Sequence, residues 1–220
     1  MGDALTGTDA AWPLAGLAAL GAFHGVNPGM GWLFAVALGM QEQSRSAIWR
    51  ALAALTGGHA LAIAVAIVVA GLARGVVSDA VIRALVAGVL VAMGVSRLVR
   101  SRHPRAGSMR IGFAGLIGWS FLMASAHGAG LMVLPIVLDA PVHAAGPHVG
   151  HLLGTESAGA SAIVAATLVH AAAYLAVTAA MAWLVYEKLG LALLRTAWIN
   201  LDVIWAAALI LTGVLALLVS

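Results

Sequence analysis

The chain has no cysteine, which removes disulfides, thiolate metal sites and thiol–disulfide chemistry together. Charge is nearly as scarce. Asp, Glu, Lys and Arg make up 9% of the 220 residues, where a soluble domain carries about 25%. With so few charges there is no acidic or basic tract to solvate a large surface. Nor do the first eleven residues carry the basic start and cleavage site of a signal peptide. What fills the space is apolar: 63% hydrophobic residues and a mean hydropathy of +1.05. Such a composition reads as an integral membrane protein, and the length suits a single membrane domain over residues 1–220. The pI near 10.2 comes from a handful of arginines and bears on topology, so no nucleic-acid partner is expected.

Runs long enough to cross a bilayer, roughly 20 residues each, fall at 12–40, 51–73, 80–99, 111–138, 159–185 and 195–219. The expectation is therefore an all-α polytopic protein with six transmembrane helices. The first and fourth runs are longer than a plain span and carry Gly or Pro in their middles, which predicts broken helices there. Arg45, Arg50, Arg97, Arg100, Arg102, Arg105, Arg110, Lys188 and Arg195 flank spans one, three and five on one side; Arg74 and Arg83 alone stand on the other. The positive-inside rule then makes 97–110 cytoplasmic and both termini extracytoplasmic, as for a protein of a bacterial inner membrane.

The two halves echo each other. "FHGVNPGMGWLFAVALG" in span one has a counterpart in "AHGAGLMVLPIVL" in span four, each with His-Gly followed by small residues and a proline, Pro28 or Pro135. Spans two and five share Thr-x-x-His, as Thr56 with His59 and Thr167 with His170, and spans three and six share a Gly-Val. Three spans per half insert the halves with opposite orientation. A 3+3 inverted repeat is predicted, repeat one over 12–100 and repeat two over 111–219, and transporters built this way hold their substrate at the midplane.

His24, His59, His127 and His170 each fall about 8–16 residues from the ends of their spans, which puts them near the bilayer centre at a rise of about 1.5 Å per residue. A lone histidine there is commonly a packed residue bonded to a backbone carbonyl. Four at matched positions are another matter, because facing imidazoles repel when protonated and lose solvation when unpaired. A shared transition-metal cation relieves both costs. Asn27, three residues after His24, shares its face if the helix continues and offers a carbonyl oxygen. Thr56 and Thr167 either orient the imidazoles or bond back to their own helices. Met30, Met123 and Met132 lie near His24 and His127 as Cu(I)-type ligands or as core filler. Asp202, accompanied by Asn200, is an intramembrane carboxylate and a candidate cation or proton relay. In the outer loop 139–158, His143, His148 and His151, with Asp139 and Glu156, either gather a cation or form a plain polar loop, since no zinc template fits their spacing.

The combination "FHGVNPGMG … LGMQEQSRSAIWRALAALTGGHALAIAVAIVVAG" resembles the first two helices of the nickel/cobalt permease (NicO-type) families of the LysE transporter superfamily. The matching elements are His24, Asn27, Pro28, Gly29, the Arg45/Arg50 loop and His59, over about sixty residues. Met30 stands where such permeases often repeat a histidine, and no acidic residue accompanies His24. The resemblance implies a six-span secondary transporter and, less directly, nickel or cobalt as its cargo. The function expected is thus transport of a nickel-, cobalt- or copper-like cation, bound by His24, His59, His127 and His170 with Asn27. Two other readings remain open: a membrane redox protein or metalloenzyme whose histidines hold haem or a fixed metal, and an amino-acid or other small-solute exporter.

Overall fold

The computed structural model describes residues 11–99, 112–139, 155–189 and 201–218, and every element among them is helical. In chain order these are α1 (Ala11–Val26), a 3-10 turn (Pro28–Met30), α2 (Trp32–Gln41), α3 (Arg45–Ala73), α4 (Asp79–Val99), α5 (Phe113–Ala126), α6 (Ala129–Asp139), α7 (Thr155–Leu184) running into a π turn (Val185–Leu189), and α8 (Leu201–Leu218). In lipid a helix satisfies its own backbone donors and acceptors, which is why runs rich in Ala, Leu, Val and Ile settle into this one form. α3, α4 and α7 are long and apolar enough to cross a bilayer, and the bent pair α5–α6 makes a fourth candidate span; α1, α2 and α8 are shorter apolar helices. The chain is a membrane-embedded helical protein.

Both expected breaks are present. α1 stops at Val26, and Asn27 takes an extended conformation with its side-chain oxygen accepting from the Gly29 N–H at 2.8 Å. Pro28, with no N–H to lose, opens the turn. Gly31 then turns the chain at φ 124°, a conformation that strains any residue with a Cβ. In the second half α5 and α6 meet at 61° across His127 and Gly128, with Gly128 at φ 73°. Pro135 sits inside α6 and does not end it.

Other boundaries differ from the sequence reading. α3 begins at Arg45 rather than 51, because the polar turn before the apolar run is already helical. α7 begins at Thr155, so Glu156 belongs to a helix and the outer loop is shorter than 139–158. Asp139 is the last residue of α6, and Asp202 is the second residue of α8 where the sequence placed it a third of the way along a span.

The packing is reciprocal. α1 lies on α7 and α3 on α5, while α3 packs on α7 and α4 on α8. Small residues allow the close approaches, as is usual where lipid supplies no hydrophobic drive between helices. A Cβ on Gly94 in α4 would lie 2.8 Å from the Ala206 carbonyl in α8, and one on Gly213 in α8 would lie 2.9 Å from the Ala87 carbonyl in α4. Gly21 lies against the His170 carbonyl and Gly58 against the Ile117 carbonyl, too tightly for a Cβ.

Adjacent glycines in α3 give a direct check. Gly57 faces open space whereas Gly58 faces α5. Gly58→Ala is expected to cost about 1–3 kcal/mol by forcing the helices apart, and Gly57→Ala to be neutral or to stabilise by up to about 1 kcal/mol through helix propensity. Thermal unfolding of the two purified variants measures the difference.

Candidate functional site: a buried histidine trio

The longest helices carry their histidines at their centres. His59 lies fourteen residues from each end of α3, and His170 lies fifteen and fourteen residues from the ends of α7. Both helices run unbroken there, so each imidazole is borne by regular helical backbone. His24 comes instead from the last turn of α1, just before the Asn27 break. Its ring is fixed by a 2.6 Å hydrogen bond from Nδ1 to the Leu20 carbonyl, which leaves Nε2 with its lone pair.

These three rings meet. The ring centres of His24 and His170 are 5.1 Å apart, those of His24 and His59 5.4 Å, and those of His59 and His170 5.4 Å. All three side chains are 0% exposed. His59 Nε2 and His170 Nε2 face each other at 3.2 Å, so in the neutral pair one donates and the other accepts.

Aromatic rings close the trio off. Tyr174, one turn beyond His170, stacks on His59 at 4.1 Å with the planes 4° apart. Trp205 from α8 stands edge-on to His24 at 4.8 Å, backed by Phe23 stacked on it. These aromatics also repair the broken helices, whose last carbonyls have no partner in their own helix. Trp32 Nε1 donates to the Val26 carbonyl at 3.0 Å, Tyr174 Oη to the Met30 carbonyl at 2.6 Å, and Trp205 Nε1 to the His127 carbonyl at 3.0 Å. Arg97 of α4 donates to the Ala126 carbonyl.

His127 stands beside this trio rather than within it. Its Nδ1 bonds the Met123 carbonyl at 2.8 Å, the same anchor one helical turn back that His24 uses. Its ring neighbour is Trp205, at 5.6 Å, so that indole lies against both His24 and His127. The bond from Arg97, in the last turn of α4, puts the α5–α6 break level with an end of that helix. His127 is thus joined to the trio through Trp205 rather than by direct ring packing with His59 or His170.

Asn27 is not on the face of His24, because the helix ends between them. Its oxygen is used as a cap, although Gly29 brings it near His127: a Cβ on Gly29 would lie 3.1 Å from Asn27 Oδ1 and 3.9 Å from His127 Nε2. Thr56 and Thr167 do neither of the things expected of them. Both hydroxyls are buried without a hydrogen-bond partner. His24 Nε2 and His59 Nδ1 are in the same condition, and His170 Nδ1 has no well-formed bond, only a weak approach to the Leu17 carbonyl. Each such atom costs about 1–3 kcal/mol if nothing else satisfies it, so this is an expensive place to keep polar groups. The side chain of Asp202 and all of Asn200, His143, His148 and His151 lie outside the described residues.

The spacing suits a metal. Two nitrogens on one tetrahedral ion at 2.0–2.1 Å are roughly 3.3 Å apart, and the centres of their imidazole rings roughly 5–5.5 Å. As it stands, no group of three or more His, Asp or Glu among the described residues is arranged to hold an ion; the His59–His170 pair is formed and His24 is the nearest third ring. Haem does not fit the same rings, since a porphyrin needs an open slot between its axial ligands and here the two nitrogens touch. Met30 and Met132 are fully buried in the core that contains Tyr174 and Trp205.

Sequence reasoning missed Tyr174, Trp205 and Trp32. Tyr174 had a signal, four residues after His170 and so on the same helical face. The two tryptophans had none, because an indole in an apolar run reads equally as an interfacial anchor. No family model, curated protein or solved structure matches the chain.

Removing one histidine of the pair strands the other, whereas removing both does not. In metal-free protein, His59→Leu and His170→Leu singly are expected to lose about 1–3 kcal/mol each, and the double variant to return to within about 1 kcal/mol of the parent. Reversible unfolding in mixed micelles gives the coupling energy.

Proposed function

We propose that the chain is a secondary transporter of a transition-metal cation, with His59 and His170 as the fixed pair of ligands and His24 as the third. The observation that carries this reading is the 3.2 Å approach of two Nε2 atoms from the centres of α3 and α7. A protein that needed only packing there would carry leucine. Neutral imidazole is a general ligand for first-row metals, and its retention among unsatisfied hydroxyls is best explained by a guest that accepts those lone pairs. His127 and Asn27, both close to Gly29, are candidates for a step on the path, with Asp202, three residues before Trp205 in α8, a further one.

The same reading includes six spans in two inverted halves. It is supported by the reciprocal packing: Gly94 on Ala206 and Gly213 on Ala87, α1 on α7 and α3 on α5. It is supported too by the matched breaks after His24 and His127, each histidine anchored one turn back. In such a plan the unbroken α3 and α7 hold the fixed ligands. The broken α1–α2 and α5–α6 are then the elements that move, because a helix interrupted at a glycine bends with little loss of hydrogen bonding. The chemistry required of the protein is exchange of hydration for imidazole nitrogen, with no covalent step.

Flux measurement tests the reading. Vesicles containing the purified chain are expected to take up or release a transition-metal ion, and His59→Gln/His170→Gln to lower that flux by about tenfold or more. A chain that moves amino acids and no metal, with the variant unaffected, contradicts it.

A further inference from the structure

A groove on the surface, where α3 begins and α7 ends, lies fourteen residues along α3 from His59, roughly 21 Å at the helical rise. Both helices are long and apolar enough to cross a bilayer, the first from Arg45 and the second as far as Lys188, and they pack on each other. Arg45 and Glu187 therefore stand where the apolar stretches give out. Arg45 Nε donates to Glu187 Oε1 at 2.7 Å. The groove is lined by this pair, by Trp49 of α3 and Trp183 of α7, and by Leu52 and Ala179.

The chemistry along the groove runs in the order of a phospholipid. Trp49 is four residues past Arg45 and Trp183 four before Glu187, so each indole is about one helical turn deeper than its charged neighbour. Leu52 and Ala179 lie about one turn deeper again. Charge, aromatic ring and aliphatic side chain thus follow one another inward, as headgroup, glycerol and acyl chain do in a leaflet. Both indoles are open to the surroundings, Trp49 61% and Trp183 58% exposed, whereas Trp32 and Trp205 are buried. Glu187 is borne on the π turn, a rare geometry frequent at functional sites. It takes one donor of a guanidinium that has five, and the Arg45 side chain stays 77% exposed. The carboxylate aims the fork, and the edge that is left suits the oxygens of a phosphate diester. Arg50 on α3 and Lys188 beside Glu187 outweigh Glu42, so this cluster is net positive and draws a negative headgroup.

We propose that this groove binds one phospholipid, with its phosphate on Arg45, its glycerol region between the two indoles and an acyl chain against Leu52 and Ala179. Glu187 is the positioning residue that turns the Arg45 fork outward. The site does not depend on what the histidines bind. It does join the ends of the two helices that carry His59 and His170, so a lipid seated there braces α3 against α7.

Native mass spectrometry of the purified full-length chain, stripped of lipid in detergent, tests this. The chain is titrated with phosphatidylglycerol, with a galactosyl diacylglycerol of the same chains that has no phosphate, and with glycerol phosphate alone. One equivalent of phosphatidylglycerol is expected to bind about fivefold or more tighter than the galactolipid. Arg45→Gln is expected to remove that preference. Arg50→Gln, which deletes an equal charge outside the groove, is expected to keep it. Trp49→Leu/Trp183→Leu is expected to weaken both lipids while the preference for phosphate stays. Unfolding temperatures in lipid-free detergent are expected to match the parent for Arg45→Gln, because a surface ion pair adds little stability. Equal affinity for the two lipids overturns the proposal, and so does an equal loss in Arg45→Gln and Arg50→Gln, which marks unspecific attraction. Glycerol phosphate binding as tightly as the whole lipid overturns it too, since the apolar part of the groove then contributes nothing.

Discussion

Two uncharged imidazoles pointing their nitrogens at each other, far from water, form the contact on which the rest of the molecule turns. Alone it is a poor bargain, since one weak hydrogen bond does not offset the desolvation of two polar rings. Around it stand further groups in the same position, the hydroxyls of Thr56 and Thr167 and the second nitrogen of His59. The surrounding packing does nothing to relieve them. Instead it fixes them more firmly: His59 and His170 sit at the midpoints of the two long uninterrupted helices, and Tyr174 and Trp205 seal the rings against their neighbours. It is this combination of regular support and unsatisfied polar atoms that the proposed cation site is meant to explain.

The broken helices follow from the same constraint. A span that must bring His24 alongside α7 and still turn away at Asn27 frees several backbone carbonyls in a medium with no water to bond them. Trp32, Tyr174, Trp205 and Arg97 supply those bonds. Tyr174 and Trp205 are also the walls of the histidine site, so two of the groups that repair the backbone also enclose the trio. Substituting Tyr174 or Trp205 therefore disturbs both a break and the trio, and the stability of the fold and the shape of the site are coupled through these two rings.

How much of this the sequence disclosed can be judged element by element. The breaks in α1–α2 and α5–α6 were legible because Asn, Pro and Gly have strong local geometry that no apolar context overrides. His59 and His170 were legible because equal spacing from Thr56 and Thr167 repeats across the chain. Helix ends were not, since the polar turns at Arg45 and Thr155 continue a helix that hydropathy alone ends early. Asn27 was misplaced for a related reason: its position relative to His24 depends on whether the helix continues, and its own side chain is what helps to end it. The distinct setting of His127 was hidden too, because its neighbours are set by the 61° bend between α5 and α6 and by the Trp205 ring, neither of which linear spacing shows. Trp205 was illegible altogether, as its role depends on its ring reaching Phe23 and His24 from α8, a tertiary fact.

The central claim is that the facing nitrogens of His59 and His170 exist to receive a cation. The most direct measurement is nitrogen-15 NMR of the full-length chain labelled at histidine, in lipid, before and after addition of Cu(I), Ag(I) and the divalent metals in turn. The account predicts that one of these ions shifts the Nε2 resonances of His59 and His170 together, at one equivalent, replacing the donor–acceptor pair with two metal-bound nitrogens. If the pair keeps its hydrogen-bonded signature with every ion at saturating concentration, the two imidazoles are part of the packing and the account is wrong.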